Sequence, residues 1–287
     1  MPITMNFQRI DSVANTLNVL GIKGVGVFED VDPQYLAIKY ALKNCDEKIV
    51  SYMFYVNALL AYRLRIPGEK FWSKFAEYLV QECRNIKDFY QVIDFVRNFT
   101  SRYNNYAYEQ KIRRLNRLRY CVNLTDLVDR GDLIKLAKIT SECLNSSIEA
   151  KTVVFSVKMI YYVHKACGRI IALPFELPIP VDKRVAFITY TSGIIESNVD
   201  NVVSLLFRKP DIVRNAWSLV SLRSKIPPLN IDAVIWYFGR FSRFRDVNKI
   251  LELVDNTLYE ILGRDVIETL VNELFYILTS HKRTRWN

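Results

Sequence analysis

Apolar residues recur at three- and four-residue intervals through most of this chain, and that spacing fits packed α-helices far better than strands. The periodic segments cover residues 34–44, 49–64, 70–84, 88–99, 107–119, 131–143, 150–165, 183–194, 211–223, 230–242, 247–261 and 264–279. Only 9 Gly and 9 Pro among 287 residues suit short connections rather than the many turns of a β-sandwich. Pro67-Gly68, Gly168, a proline stretch over 174–181 and Pro227-Pro228 punctuate the pattern. Asp200, Asp211 and Asp265 stand where helix caps or first turns begin. No internal repeat, low-complexity tract or long linker interrupts it. The expected fold class is all-α, in two packed helical lobes with a cleft between them, and the length permits a substantial core.

Charge narrows the partner. A net charge of +10 suits a polyanion, most readily nucleic acid, although an ordinary basic protein would share it. The five cysteines (Cys45, Cys83, Cys121, Cys143, Cys167) form no C-x-x-C pair. Their odd, scattered placement argues against a disulfide framework or a zinc site and for a reducing compartment. No cysteine follows Cys167, which argues against a four-cysteine iron–sulfur cluster. The start MPITMNFQRIDSV lacks a signal-peptide pattern and no uncharged stretch reaches the length of a membrane span, so a soluble intracellular protein is expected. GIKGVGVFED carries Gly21, Gly24 and Gly26, but it matches neither a dinucleotide fingerprint nor a phosphate loop and reads as a loop at a helix end.

Three stretches carry possible chemistry. In EAKTVVFSVKMIYY, Lys151, Phe155 and Lys158 lie at i, i+4 and i+7 and project from one helix face, with Val153, Val154, Val157 and Ile160 left to pack. Two solvated lysines beside a core stripe would explain this. If the face instead looks into a cleft, an amine desolvated beside a second cation keeps a neutral, nucleophilic fraction. In PFELPIPVDKRV, Pro174, Pro178 and Pro180 pre-set an extended backbone, and Asp182 stands at the start of the next helix as an N-cap. A capping carboxylate has a fixed rotamer, and such a group can also stabilise an oxocarbenium-like sugar and handle protons. In IPPLNIDAVIWYFGR, Asp232 and Trp236 are neighbours one turn apart. They are core residues or a base-reading pair, the ring stacking and the carboxylate accepting from base N–H groups. Gln34 and Trp72 are weaker candidates of the same kind. Lys111, Arg113, Arg114, Arg117 and Arg119 crowd KIRRLNRLRY, as a solvated face or as phosphate contacts, and the tail HKRTRWN adds further charge.

The blocks DPQYLA, NALLAYRL, EAKTVVFSVKMIYY, LPFELPIPVDKRVAFITYTSGII and IPPLNIDAVIWYFGR, in this order over about residues 30–240, resemble the archaeal GO glycosylases. These form a branch of the helix–hairpin–helix DNA glycosylase superfamily that removes 8-oxoguanine. The resemblance implies one unit over 1–287 built of two interleaved helical lobes, with the active site in the cleft between them. It implies Lys151 as Schiff-base nucleophile and Asp182 as catalytic carboxylate. Phe155 and Trp236 would sandwich the extruded base, Gln34, Trp72, Lys158 and Asp232 would hydrogen-bond to it, and Pro180 would line the pocket. Ser147, Arg113, Arg114 and Arg117 are the candidates for the DNA backbone. The hairpin reads LNSSIEAK, with Ser147 and Glu149 where the superfamily usually has glycines.

The activity so implied is removal of 8-oxoguanine followed by β-elimination of the strand, with DNA containing that lesion as partner. It involves no metal, no organic cofactor and no membrane, and a monomer suffices. A glycosylase for another damaged base, a non-catalytic helical nucleic-acid-binding module and a helical interaction scaffold are the alternatives. A plain binding module would show salt-sensitive binding without lesion preference.

Overall fold

The computed structural model describes residues 3–283, with side chains through residue 279; the basic tail 281–287 therefore falls outside what is described at side-chain level. The expected all-α class holds: seventeen α-helices account for nearly all regular structure among the described residues. In chain order they are α1 (Phe7–Asp30), α2 (Pro33–Leu42), α3 (Glu47–Leu59), α4 (Gly68–Glu82), α5 (Phe89–Tyr103), α6 (Tyr108–Leu118), α7 (Leu124–Arg130), α8 (Leu133–Leu144) and α9 (Lys151–Ala166). There follow α10 (Lys183–Thr191), α11 (Val202–Arg208), α12 (Pro210–Ser224), α13 (Pro228–Gly239), α14 (Val247–Glu252), α15 (Asn256–Leu262), α16 (Arg264–Leu274) and α17 (Tyr276–Arg283). Two short strands, β1 (Thr4–Met5) and β2 (Ile195–Glu196), pair antiparallel with Thr4 opposite Glu196.

The chain divides into two compact units. One comprises Val31–Leu177 and so holds α2 to α9; the other joins Met1–Asp30 to Pro178–Asn287. In the first, α3 is buried on every side from Ile49 to Leu59 and packs against α2, α5, α7 and α9. That explains its run IVSYMFYVNALL, which has no polar stripe. In the second, α13 is the corresponding central helix, packed against α1, α10 and α12.

The N-terminal segment corrects the sequence reading. Residues 7–30 form two helices run together as α1 across a break at Gly21. Gly21 stands at a helix end as expected, but no loop separates the two helices, and Gly24 and Gly26 lie within the second. Gly21 kinks the helix at φ 67°, ψ 172°, a left-handed backbone value that an L side chain resists. Glycine's poor helix propensity hides the segment, while burial of Ile10, Val13, Ala14, Leu17, Val25 and Phe28 stabilises it. The short helices α7 and α11 carry too few turns to show a period. The segments 247–261 and 264–279 each break in two, at the Asp255 cap and at Phe275.

The cysteines also differ from expectation. Cys45 pairs with Cys83 and Cys121 with Cys143, leaving Cys167 as the free thiol. Separations of 38 and 22 residues carry no local motif, and only the folded chain brings each pair's Cα atoms to 5.8 and 6.0 Å.

Candidate active site

The turn between α8 and α9 manages without glycine. Asn145 takes the left-handed conformation (φ 49°, ψ 57°), which its short polar side chain tolerates, and ends α8. Ser147 then holds the turn: its Oγ accepts from the Glu149 N–H at 3.1 Å and its carbonyl accepts from the Ala150 N–H at 3.0 Å. Lys151 follows as the first residue of α9, after a cap residue, Ala150, that has no side chain to engage the first-turn amides. Ser147 and Glu149 are exposed.

Helix α6 anchors this corner. An Arg114 Nη1 donates to the Leu59 carbonyl at the end of α3 and to Thr152 Oγ1 in the first turn of α9, each at 3.0 Å. Arg117 donates to the Leu144 carbonyl at 2.7 Å, closing the end of α8, and the Cys121–Cys143 disulfide ties the same end to the loop after α6. Arg119 pairs with Asp94 at 2.8 Å. Lys111 is fully buried, donating to the Asn104 carbonyl at 2.9 Å and its Oδ1 at 2.5 Å. Burial, with Arg63 nearby, pushes its ammonium down to about 8. Around this corner opens a cavity of about 570 Å³ lined by Tyr62, Arg63, Arg113, Arg114, Arg117 and Lys151, with no Asp or Glu in its wall.

Along α9 the next two residues of the face enter different surroundings. Phe155, half-buried, meets Trp72 edge-on with ring centroids 5.7 Å apart. Trp72 is buried and stacks on Phe54 at 5.8 Å, so its ring belongs to an aromatic cluster that includes Phe71 and Phe75. Lys158 is buried completely, its Nζ 3.9 Å from Asp32 Oδ2 and 5.3 Å from the centre of the Tyr162 ring. Asp32 is the hub here. Its Oδ2 accepts from the Tyr162 hydroxyl at 2.8 Å, and its Oδ1 accepts at 2.9 Å from both the backbone N–H and the side-chain amide of Gln34. Sequence reasoning missed Asp32 and Tyr162. The signal was present in DVDPQY, where an Asp directly before a Pro that opens a helix is a strong N-cap pattern.

The remaining candidates lie in the other unit. Pro178 and Pro180 are buried in the extended approach to α10. Asp182 caps α10: one oxygen, Oδ1, accepts from the Arg184 N–H at 2.8 Å and the Val185 N–H at 3.0 Å. Asp232 is buried on α13, while Trp236, one turn on, is half-buried. Arg184 places its guanidinium 4.3 Å from the Trp236 ring centre and so covers one face of the indole. Gly239 makes that approach feasible, because a Cβ there would lie 2.6 Å from Arg184 Cβ. Arg184 was not singled out from the sequence, since an Arg in a helix's first turn gives no sign of the ring it will cover.

Sorted by unit, Gln34, Trp72, Arg113, Arg114, Arg117, Ser147, Lys151, Phe155 and Lys158 fall in the first, and Pro180, Asp182, Asp232 and Trp236 in the second. Among the described residues no group of His, Cys, Asp and Glu could hold a metal ion, and no helix is long and apolar enough to cross a membrane.

The all-α fold agrees with the class that comparison with known proteins shows, a DNA glycosylase/lyase. The family model described as N-glycosylase/DNA lyase, AGOG, matches residues 14–270, and the chain belongs to that family. It is 33% identical over 240 residues to the N-glycosylase/DNA lyase of Pyrobaculum aerophilum, covering 81% of this chain and 87% of that one. Against the N-glycosylase/DNA lyase of Methanopyrus kandleri identity is 30% over 254 residues, covering 85% and 94%. The crystal structure of 8-oxoguanosine-complexed Pa-AGOG, the 8-oxoguanine DNA glycosylase of P. aerophilum, superposes with a TM-score of 0.68 at 31% identity, covering 82% of this chain and 89% of that one.

Proposed function

We propose that this protein excises 8-oxoguanine from DNA and then cleaves the strand by β-elimination, with Lys151 as the imine-forming nucleophile. The observation that carries this reading is the position of Lys151 at the head of α9, on the wall of a cationic, carboxylate-free cavity, in a member of the N-glycosylase/DNA lyase family. The 8-oxoguanosine bound to the related P. aerophilum enzyme supports the choice of lesion.

On this reading the damaged nucleotide leaves the duplex, at a cost of roughly a few kcal/mol. Phe155 and Trp236 stack on the base, Asp232, Gln34, Lys158 and Trp72 supply hydrogen bonds, and Pro180 lines its edge. Asp32 holds Gln34 and Lys158 in place, because a buried ammonium needs a counterion and a buried amide needs a partner. Asp182 stabilises the positive charge that builds on the sugar as the C1′–N9 bond breaks, with the bonding pair leaving on the base. The Lys151 amine forms the new bond to C1′, and ring opening yields the imine. The enzyme works as a monomer on DNA inside the cell.

Borohydride trapping on a duplex carrying one 8-oxoguanine tests this. Wild type is expected to give a covalent adduct on the lesion duplex alone, and Lys151→Gln to give none while still binding. An adduct that persists in Lys151→Gln overturns the assignment of the nucleophile. A wild type that releases free base without any adduct overturns the lyase chemistry.

A further inference from the structure

We propose that the cavity beside Lys151 holds the phosphate on the 3′ side of the nucleotide under attack, with Arg63 and Arg113 as its ligands and Arg114 and Arg117 as the braces that shape it. The proposal rests on the imine chemistry above and assigns a place for the group that this chemistry expels.

The four arginines are not equivalent. Arg114 and Arg117 donate to the carbonyls of Leu59 and Leu144 and to Thr152 Oγ1, and so hold the ends of α3 and α8 and the start of α9. Arg63 and Arg113 are exposed at the same cavity, and among the described residues neither makes an ion pair. Four guanidinium groups thus share a wall with no Asp or Glu among its lining residues. Like charges crowded together raise each other's energy, and a bound anion beside Arg63 and Arg113 relieves that. The field reaches beneath the wall, where Arg63 adds to burial in pushing Lys111 down to about 8.

Backbone conformation points the same way. Arg63 adopts a left-handed conformation at φ 48°, a region that disfavours side chains other than Asn, Asp or Gly. An arginine held there at some strain suits a guanidinium needed at that point. The uncapped first turn of α9 opens on the same cavity, since Ala150 and Thr152 line it with Lys151.

The chemistry selects the 3′ phosphate. In β-elimination from the imine, water takes the C2′ proton, the C2′–H pair becomes the C2′=C3′ bond, and the C3′–O3′ bond breaks with its pair on O3′. The leaving phosphate passes from a diester carrying one negative charge to a monoester approaching two. A cationic wall stabilises that change, whereas a 5′ phosphate keeps its single charge throughout. Arg63 and Arg113 therefore act on strand cleavage more than on base release.

The test uses the full chain with Arg113→Gln, Arg63→Gly and the double variant. Arg63→Gly removes the guanidinium and relieves the left-handed backbone, so its thermal midpoint should match or exceed wild type. Binding is measured on a duplex with a tetrahydrofuran abasic analogue, carrying a neutral methylphosphonate on either its 3′ or its 5′ side. The 3′ replacement should weaken wild type about tenfold and the double variant hardly further, as charge-assisted contacts of this kind do. The 5′ replacement should add independently to the arginine losses. On a natural lesion duplex, cleavage by the double variant should fall about ten- to a hundredfold and base release by only about threefold. Additive losses with the 3′ replacement, coupling to the 5′ one, or equal falls in cleavage and release would each overturn the proposal. The binding cycle involves no imine, so it stands apart from the trapping result that tests the underlying reading.

Discussion

The two helix starts that carry the candidate catalytic residues are built in opposite ways. Helix α10 is self-sufficient: Asp182 caps it from its own side chain, with a negative charge at the positive end of the helix. Helix α9 is not. Its cap residue is Ala150, its first residue is a lysine, and the groups around it are arginines. A cation at a helix N-terminus is disfavoured locally, so this start is stabilised from outside, by Arg114 on Thr152, by Arg117 on Leu144 and by the Cys121–Cys143 bond. The carboxylate sits where local structure wants it, and the amine sits at a helix start braced by residues distant in sequence. A lysine held this way stays half-exposed at the cavity, while a capping carboxylate keeps one rotamer at no further cost.

Replacing Asp182 attacks the self-sufficient side hardest. Asp182→Asn should lower single-turnover base release by about 10²–10⁴-fold, the span of a general acid–base or charge-stabilising group, with an unchanged melting temperature because Asn also caps. Asp182→Ala should lose the same activity and about 1 kcal/mol of stability besides. Full activity in the Asn variant would reduce Asp182 to a cap.

The supported side should respond to its supports. Removing the Cys121–Cys143 bond by Cys143→Ser should lower denaturant-measured stability by about 3 kcal/mol, as expected for a loop of this length. Trapping should slow in step if the end of α8 sets the position of Lys151. Arg114→Met should slow trapping about tenfold with duplex affinity nearly kept, the loss of a charged hydrogen bond that only orients the helix start. Arg114→Lys should recover part of it, and equal losses in both variants would mean that a bidentate contact is needed.

The smallest effect concerns pH. Folded Lys111 loses its proton near 8, while the unfolded chain holds it to about 10.5, so the unfolded state binds more protons in that window. Stability should therefore rise as pH increases from about 8 toward 10. Above that, buried tyrosines such as Tyr55, whose hydroxyl burial pushes up, hold protons that the unfolded chain releases, and the trend reverses. Urea melts across this range should lose the rise in Lys111→Met; its persistence there would assign it to another group.

Much of this was legible without coordinates. The period of 3.6 marks most of the helices because each buries one face, and α3 and α13 show as continuous apolar runs because they bury all faces. Asp182 was readable as a cap, since capping is a contact between residues two and three apart. The shared face of Lys151, Phe155 and Lys158 follows from helix geometry alone.

Other features were not legible, and each fails for one reason: it is a contact between residues far apart in sequence. Asp32 meets Tyr162 130 positions away, and Arg114 meets Thr152 38 positions away. The basic run 111–119 illustrates the point most clearly. Its composition suggests a phosphate-binding face, yet Lys111 is buried on Asn104, Arg119 pairs with Asp94, Arg114 and Arg117 brace the hairpin, and Arg113 faces the cavity. By itself the sequence determined the helices, their self-contained caps and the residue types available for chemistry, because those depend on neighbours within a turn or two. Only the tertiary structure decided which cations are buried, which are braces and which meet solvent, because burial and pairing are set by what the rest of the chain brings alongside.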